Sequence, residues 1–388
     1  MSTPTSAGHS ERAPGPARRR PAFLSALPGE PSLRLEREKA SPGRAAAEVY
    51  TLAAGDGFEA RVMTYGGILR ELWVPGRDGG RTNVVLGLPT FADYLAGNRP
   101  YLGALIGRYA NRIANASFAL DGVTYRLAAN DGPNCLHGGR HGFDRRPWRA
   151  VRSHSSADGV SLVLRYASPD GEEGFPGALV VEATVTVFRD GSLRLDFRAA
   201  TDRPTVVNLT SHIYWNLAGE GTGSALDQVL SLPASRYLPV DAEMIPTGEV
   251  APVAGTPLDF TTPTPVRARI RDAFGQLATA GGYDHHFVLD RESGLSLAPA
   301  ARLDDPASGR RLELATTEPG LQVYAGNAFD GSLTGTSGRP YPQGAGIALE
   351  TQHCPDSPNR PEFPSTVLRP GRILSSTTVY RFSAAESP

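Results

Sequence analysis

Two residues of this sequence have side chains and settings suited to acid–base chemistry. Glu350 follows the apolar run of residues 346–349, which would carry it to the end of a buried strand. A carboxylate there is costly unless it is paired or hydrogen-bonded, and its pKa is open to tuning, so we predict that Glu350 is a general base. His212 stands among apolar and aromatic residues in the segment 206–219. Its ordinary pKa of about 6.5 suits proton transfer near neutral pH, although a histidine packed in the core is the alternative.

Two glycine-rich segments contribute further polar side chains. Arg108 and Arg112 lie four residues apart in the segment 107–118, and arginine presents a planar fork of donors that suits hydroxyls and carboxylates. Surface arginine is the alternative for both. His137, beside two glycines, is predicted to hydrogen-bond a ligand. A metal pair with His141 is disfavoured, because the intervening glycines argue against a helix and no carboxylate is placed as a third ligand.

The remaining candidates also point to hydrogen bonding and not to a cofactor. Asp284 lies between an aromatic residue and two histidines, and Gln322 lies in a strand-like run. Tyr214 and Trp215, next to His212, are predicted to pack either on the apolar face of a sugar ring or on the core. The sequence contains no GxxxxGK[ST], GxGxxG or GxSxG pattern. An acid–base reaction without a cofactor or metal therefore fits better than phosphoryl, hydride or acyl transfer.

Composition excludes several classes of protein. A net charge of −1 argues against binding to nucleic acid or to a membrane surface. No apolar run approaches the roughly 18 residues that a transmembrane helix needs. The two cysteines, Cys135 and Cys354, cannot form a disulfide framework. We therefore expect a small-molecule partner.

The elements that must position these side chains are predicted to be strands. Residues 192–199 alternate apolar and charged side chains, and residues 180–188 are rich in β-branched ones. Asp190 and Gly191 between them suit a tight hairpin turn. With eight Asp-Gly dipeptides, 43 glycines and 33 prolines, the chain is predicted to be a large, mainly antiparallel all-β protein. Short helices are predicted only at residues 91–96, after a possible N-cap at Thr90, and at residues 270–279.

The chain is predicted to divide into a tail and one domain. Residues 1–44 are rich in Pro, Ser, Ala and Arg, so they bury too little apolar surface to offset their ordering entropy, and we predict disorder. Residues 45–388 are predicted to form a single β-sandwich domain. Paired arginines before a short apolar run at residues 18–27 suggest export, but the run is shorter than the roughly 7–15 residues of a signal peptide. A cytoplasmic protein with a solvated tail, or with a later start, is predicted instead.

Six segments of the chain combine glycine, histidine, arginine and acidic residues. They are GRYANRI (107–113), NCLHGGRHGFD (134–144), NLTSHIYWNLAG (208–219), YLPVDAEMIPTGE (237–249), GYDHHF (282–287) and LETQHCPDSPNRPEFP (349–364). In this order they resemble the aldose 1-epimerases, also called galactose mutarotases. The similarity runs from about residue 48 to 384, and six separated motifs in order are more specific than any one of them. It implies a large antiparallel β-sandwich of the galactose mutarotase-like supersandwich type, and interconversion of the α and β anomers of free aldoses such as galactose and glucose.

The resemblance also implies roles for individual residues. Glu350 would be the catalytic base and His212 the catalytic acid. Ser211, Ile213 and Trp215 depart from residues common in the family and bear on sugar preference. The residues implied to bind sugar are Asn111, Arg112, His137, Asp284 and Gln322.

The implied chemistry is ring opening and closure. Ionised Glu350 would remove the proton of the C1 hydroxyl, while protonated His212 would donate to the ring oxygen. We expect their mutual attraction to favour both charged forms and the pH optimum to lie near neutrality. Two alternatives stay open: a hexose-6-phosphate 1-epimerase and a sugar-binding β-sandwich without catalysis. The predicted partner is a small aldose, with no nucleic acid, no membrane, and a monomeric or homodimeric state.

Overall fold

The computed structural model describes residues 30–40, 46–55, 57–77, 79–291 and 296–384. Strands dominate these residues, with two short α-helices, α1 Phe91–Gly97 and α2 Gly275–Ala280. Short 3₁₀ turns span Ala114–Ala116, Phe143–Arg145, Glu172–Gly174, Val266–Ala268 and Ser357–Asn359. The strands, numbered along the chain, are β1 Ser32–Lys39, β2 Ala46–Ala53, β3 Glu59–Met63, β4 Ile68–Pro75, β5 Arg81–Asn83, β6 Leu105–Ile106, β7 Arg112–Ile113, β8 Ser117–Leu120, β9 Val123–Arg126, β10 Cys135–Leu136, β11 Arg149–Ser155, β12 Gly159–Ser168, β13 Leu179–Phe188, β14 Ser192–Thr201, β15 Thr205–Val206, β16 Thr210–Ser211, β17 Tyr214–Trp215, β18 Val229–Ser231, β19 Arg236–Leu238, β20 Ala251–Pro252, β21 Thr264–Pro265, β22 Asp284–Val288, β23 Ala298–Asp304, β24 Arg310–Thr316, β25 Gly320–Tyr324, β26 Ile347–Gln352, β27 Val367–Leu368 and β28 Leu374–Ala384.

Three antiparallel sheets form most of the fold. Their strand orders are β1-β2-β3-β4-β5, β11-β12-β13-β14-β28-β24-β23-β18-β21 and β17-β26-β25-β22-β19-β20, and four two-stranded pairs complete the described part. One hydrophobic core connects the three sheets, since Leu52, Val181 and Phe287, one from each, belong to the same buried cluster. The predicted large antiparallel β-sandwich is confirmed.

The hairpin of β13 and β14 shows why the sequence forms strands here. In β13 buried and more exposed residues alternate along the strand, so one face of the strand packs on the core. The two strands pair antiparallel, with Leu179 opposite Thr201. Gly191 in the connecting turn has a φ of 78°, a conformation that glycine adopts without steric cost. Both predicted strands and their turn are confirmed.

The helices are as few and short as predicted. α1 begins after Thr90, whose hydroxyl caps the backbone N–H of Asp93, while the Asp93 carboxylate accepts from the N–H of Thr90. α2 is shorter than the predicted segment 270–279, because it begins only at Gly275 and is closed by Gly281 at a φ of 69°. Neither helix has the length and apolar character to span a membrane.

The predicted disordered tail is wrong for part of its length. Ser32–Lys39 form β1, which pairs with β2 along its whole length. Leu33 and Leu35 pack against the core and Arg34 between them is exposed, so alternation and backbone pairing order this segment. Residues 1–29 and 41–45 lie outside the described residues, and the predictions for them remain untested.

Candidate active site

A cavity of about 770 Å³ opens over one face of the six-stranded sheet. Its base is formed by side chains from four consecutive strands, because residues paired across a sheet point to the same face. Six of the seven residues predicted to act on or bind a substrate line this cavity: Asn111, Arg112, His137, His212, Asp284 and Glu350. These residues come from distant parts of the chain, and the fold brings them together.

The predicted base and acid are neighbours in this cavity. Glu350 lies in β26, directly opposite Gln322 of β25, and is 2% exposed. The apolar residues before it enter the core, as the sequence predicted. His212 follows β16 and is 5% exposed, and its Nε2 lies 3.5 Å from Oε1 of Glu350. The two groups can therefore exchange a proton or act on neighbouring atoms of one ligand.

Burial shifts the pKa values of this pair in directions that oppose the expected ion pair. Burial raises the pKa of Glu350 well above its ordinary value, the negative charge of Asp284 adds to the rise, and Arg112 opposes it. Burial lowers the pKa of His212 to about 3, partly opposed by the residue's own backbone. Burial therefore acts against the ion pair and favours the uncharged forms of both groups.

Asn111 and His137 hold each other through two backbone contacts. The N–H of Asn111 donates to Nδ1 of His137 at 3.2 Å, and the N–H of His137 donates to the carbonyl of Asn111 at 3.1 Å. The pair β7 and β10 brings the two segments together, since Arg112 pairs with Leu136. Burial also lowers the pKa of His137, with the charges of His212 and Arg112 adding to the effect. The neutral ring therefore carries its proton on Nε2 and can donate it to a ligand.

The tautomer of His137 also affects whether a metal ion can bind in the cavity. Among the described residues, His137, His212 and Glu350 have potential ligand atoms within 4.8 Å of one another. A metal on Nε2 of His137 would require its proton on Nδ1, facing the N–H of Asn111. The donor set therefore fits a hydroxyl-bearing ligand better than a metal ion. His141, considered with His137 in the sequence, is exposed and belongs to no such group.

Arg112 and Asp284 are each held by one side-chain partner. Nε of Arg112 lies 2.7 Å from a carboxylate oxygen of Asp131. Nε2 of Gln322 donates to Asp284 at 2.6 Å. Burial raises the pKa of Asp284, with Arg112 and Gln322 opposing the rise. Gln322 lies beside Asp284 on the same face of the sheet but is not among the residues that line the cavity, and its predicted contact with sugar stays a prediction.

Arg108 does not share the site with Arg112. Its guanidinium is 2% exposed and donates to the carbonyls of Pro176 and Gly177 at 2.8 and 2.7 Å. It therefore joins two loops inside the fold. Neither reading of Arg108 from the sequence, ligand binding or surface exposure, is correct.

The two aromatic residues after His212 separate onto opposite faces of the sheet. Tyr214 lines the cavity, with its ring centroid 4.9 Å from that of His212. Trp215 is fully buried in the core against Tyr380 and Phe382, at 5.1 and 5.5 Å. The sequence left open whether these two rings pack on a sugar or on the core. Tyr214 lies in the cavity and Trp215 lies in the core.

Several cavity residues were not found from the sequence, among them Tyr101, Met244 and Tyr324. Tyr324 carried a usable signal, because it lies two residues after Gln322 in the same strand and so shares its face. Tyr101 and Met244 lie in turns without periodicity, and no pattern distinguishes them.

Comparison with known proteins identifies the family of this chain. The profile of the aldose 1-epimerase family matches residues 48–381. Galactose mutarotase from Homo sapiens is 43% identical over 324 residues, covering 84% of this chain and 91% of that protein. Aldose 1-epimerase from Escherichia coli (strain K12) is 37% identical over 336 residues, covering 86% of this chain and 94% of that protein.

Solved structures show the same relationship. The galactose 1-epimerase structure from Lactobacillus acidophilus NCFM superimposes with a TM-score of 0.81 and 27% identity, covering 92% of this chain and 100% of that chain. A GalM/aldose epimerase homologue from C. elegans gives a TM-score of 0.76 and 28% identity, covering 88% of this chain and 100% of that chain. By sequence and by fold, this chain belongs to the aldose 1-epimerase family.

Proposed function

We propose that this chain interconverts the α and β anomers of free aldohexoses such as galactose and glucose by acid–base ring opening and closure. One observation carries the proposal: Nε2 of His212 and Oε1 of Glu350 lie 3.5 Å apart in a cavity rich in hydrogen-bonding side chains. The C1 hydroxyl oxygen and the ring oxygen are bonded to the same carbon. An acid and a base that serve these two oxygens must therefore be close neighbours.

Glu350 is the proposed base and His212 the proposed acid, and together they hold the single proton that the cycle needs. Transfer of this proton from Oε1 of Glu350 to Nε2 of His212 converts the uncharged pair into a carboxylate and an imidazolium. The carboxylate then takes the proton of the C1 hydroxyl, while the imidazolium donates to the ring oxygen, and the ring opens to the aldehyde. After rotation about the C1–C2 bond, closure on the other carbonyl face returns both protons.

The other side chains would orient the sugar. His137 donates from Nε2, Asp284 accepts from a hydroxyl, and Arg112 and Asn111 supply further polar contacts. Support comes from their lining of the same cavity and from the contacts that fix them. Gln322 would act by holding Asp284.

The charge of the cavity favours an unphosphorylated sugar. The arginines among its described lining residues are Arg99 and Arg112. Arg112 is engaged by Asp131, and Arg99 is an exposed residue. A phosphate group would call for more cations than this. Rates measured with glucose, galactose, xylose and glucose 6-phosphate in a coupled mutarotation assay separate the two substrate classes, and a preference for glucose 6-phosphate would reverse this assignment.

Replacing the base tests the function directly. Glu350→Gln should lower the mutarotation rate of galactose, followed by polarimetry, by about 10²–10⁴-fold, because a positioned base contributes that much. Glu71→Gln is the matched control, since Glu71 is also buried, at 7% exposure, but lies in the five-stranded sheet. A folded Glu350→Gln protein with wild-type rates would show that Glu350 is not the base. Sugar binding without any turnover by the wild type would instead support a binding protein.

We also propose a cytoplasmic location. The two cysteines, Cys135 and Cys354, are both buried and unpaired, which fits a reducing compartment. Cell fractionation with an antibody against the protein tests this, and recovery from an exported fraction would contradict it.

A further inference from the structure

Several cavity residues hold an unusual backbone conformation. Among the described residues, nine that are not glycine have positive φ, and four of these line the cavity: Tyr101, Asn111, His137 and Met244. Asn and His adopt this conformation more readily than most residues, whereas a bulky side chain such as that of Tyr101, at a φ of 61°, is an outlier. Strained residues persist only where their surroundings fix them, and they concentrate at functional sites.

The turn that contains Tyr101 is fixed by Asn98 and connected to His212. The N–H of Tyr101 donates to the carbonyl of Asn98 at 3.2 Å, and the buried Asn98 side chain accepts from the N–H of Leu102 at 2.9 Å. Two residues further on, the N–H of Gly103 donates to the carbonyl of His212 at 3.0 Å, and the N–H of His212 donates to Ala104 at 2.9 Å. Tyr101 therefore stands at a fixed position relative to the backbone of His212.

The ring of Tyr101 contacts both cavity histidines. It lies nearly parallel to the His212 ring, at 27° and 5.8 Å between centroids. It meets the His137 ring edge-on, at 67° and 4.6 Å. The ring of Tyr101 therefore packs against the imidazole of His212, which is the proposed acid.

No close hydrogen bond from the described groups fixes that imidazole. A catalytic histidine usually has its second ring nitrogen fixed by a carboxylate or a carbonyl group. Nδ1 of His212 is buried and makes no hydrogen bond with any described group, and Nε2 lies at 3.5 Å from Glu350. The orientation of the ring therefore depends on its aromatic neighbours, of which Tyr101 comes from outside the sheet and Tyr214 from within it.

We infer that Tyr101 is a positioning residue for the epimerase reaction: its ring, presented by a left-handed turn, holds the His212 imidazole with Nε2 toward Glu350. This inference rests on the proposed function of His212 as the acid. The hydroxyl of Tyr101 has no part in it. The ring is the required feature, and the backbone conformation of the turn is what brings the ring to His212.

Kinetics of three variants test the inference. Tyr101→Leu should lower kcat for galactose by about 10²-fold with little change in KM, because misplacing a catalytic group by about 1 Å has this effect. Tyr101→Phe keeps the ring and should keep kcat near the wild-type value. Tyr125→Leu is the matched control, since Tyr125 also stacks on an aromatic ring, Phe118, at 28° and 5.5 Å, but lies outside the cavity. Circular dichroism and melting temperature confirm that each variant is folded.

Histidine NMR gives a readout that does not depend on turnover. With labelled histidine, the nuclear Overhauser contacts between the rings of His212 and Tyr214, whose centroids lie 4.9 Å apart, should change in Tyr101→Leu, where the imidazole is free to turn, and persist in Tyr101→Phe. A higher KM with unchanged kcat in Tyr101→Leu would make Tyr101 a sugar contact, and unchanged kinetics would remove its role altogether, so either result overturns the inference. If the wild type does not epimerise any aldose, the proposed function fails, while the NMR comparison still decides whether Tyr101 orients His212.

Discussion

His285 provides a sharp test of how burial controls protonation in this sheet. It follows Asp284 in β22, points away from the cavity and is 0% exposed. Its Nδ1 accepts from the N–H of Asp284 at 3.2 Å, and its ring meets Tyr237 edge-on at 6.1 Å. Replacing it with Phe, which is apolar and similar in shape, removes one buried titratable group and leaves the sheet residues around it in place.

The expected loss of folding stability follows from the difference between the folded and unfolded pKa values of His285. Burial lowers the pKa of His285 from 6.5 to about 4. Because the folded-state pKa lies below the unfolded one, the unfolded chain binds this proton first, and stability falls as pH drops from about 6.5 toward about 4. Each pH unit in this window costs about 1.4 kcal/mol, so the single histidine accounts for about 3 kcal/mol.

The assay compares free energies of unfolding in urea at about pH 7.5 and about pH 4.5, for wild type and His285→Phe. The wild type should lose about 3 kcal/mol more than the variant between these two conditions. Other buried histidines lose stability in both proteins, so their contribution cancels in the comparison. His141→Gln, at an exposed position, is the control and should follow the wild type.

Equal losses for wild type and His285→Phe would refute the reasoning. They would mean that His285 accepts a proton in the folded state as easily as in the unfolded chain. The same conclusion would then undermine the uncharged form assigned to His212, because its lowered pKa has the same leading cause.

Two further predictions concern residues whose hydrogen-bond partners the structure identifies, Gln322 and Arg108. Gln322→Leu should raise KM for galactose more than it lowers kcat, because Asp284 loses its 2.6 Å hydrogen bond. Steady-state kinetics measure both constants, and an unchanged KM would show that Gln322 does not support Asp284 in binding the sugar. Arg108→Met should destabilise the fold by about 3 kcal/mol, since the buried carbonyls of Pro176 and Gly177 lose their donor. Urea unfolding measures that loss, and the exposed Arg152→Met serves as its control; a similar small effect in both would argue against a structural role for Arg108.

The local pattern of the sequence was sufficient for the fold class. Alternating side chains over residues 180–188 and 192–199, joined at Gly191, appear as β13 and β14 with that turn between them. Such signals are local, since the pleat alone determines which side chains share a face. The same alternation was present in β1, but the composition of the surrounding segment outweighed it in the prediction, and the pairing of β1 with β2 could not be read from composition.

The sequence by itself determined which residue types were available for chemistry: a carboxylate after an apolar run at Glu350, and a histidine among aromatics at His212. Tertiary structure decided what surrounds them. It put their reactive atoms 3.5 Å apart, joined Gln322 to Asp284 by a hydrogen bond, and brought Tyr101 against the imidazole. It also decided their charge, because the pKa of a group depends on the water it loses and on neighbours far along the chain, and neither is a property of local sequence.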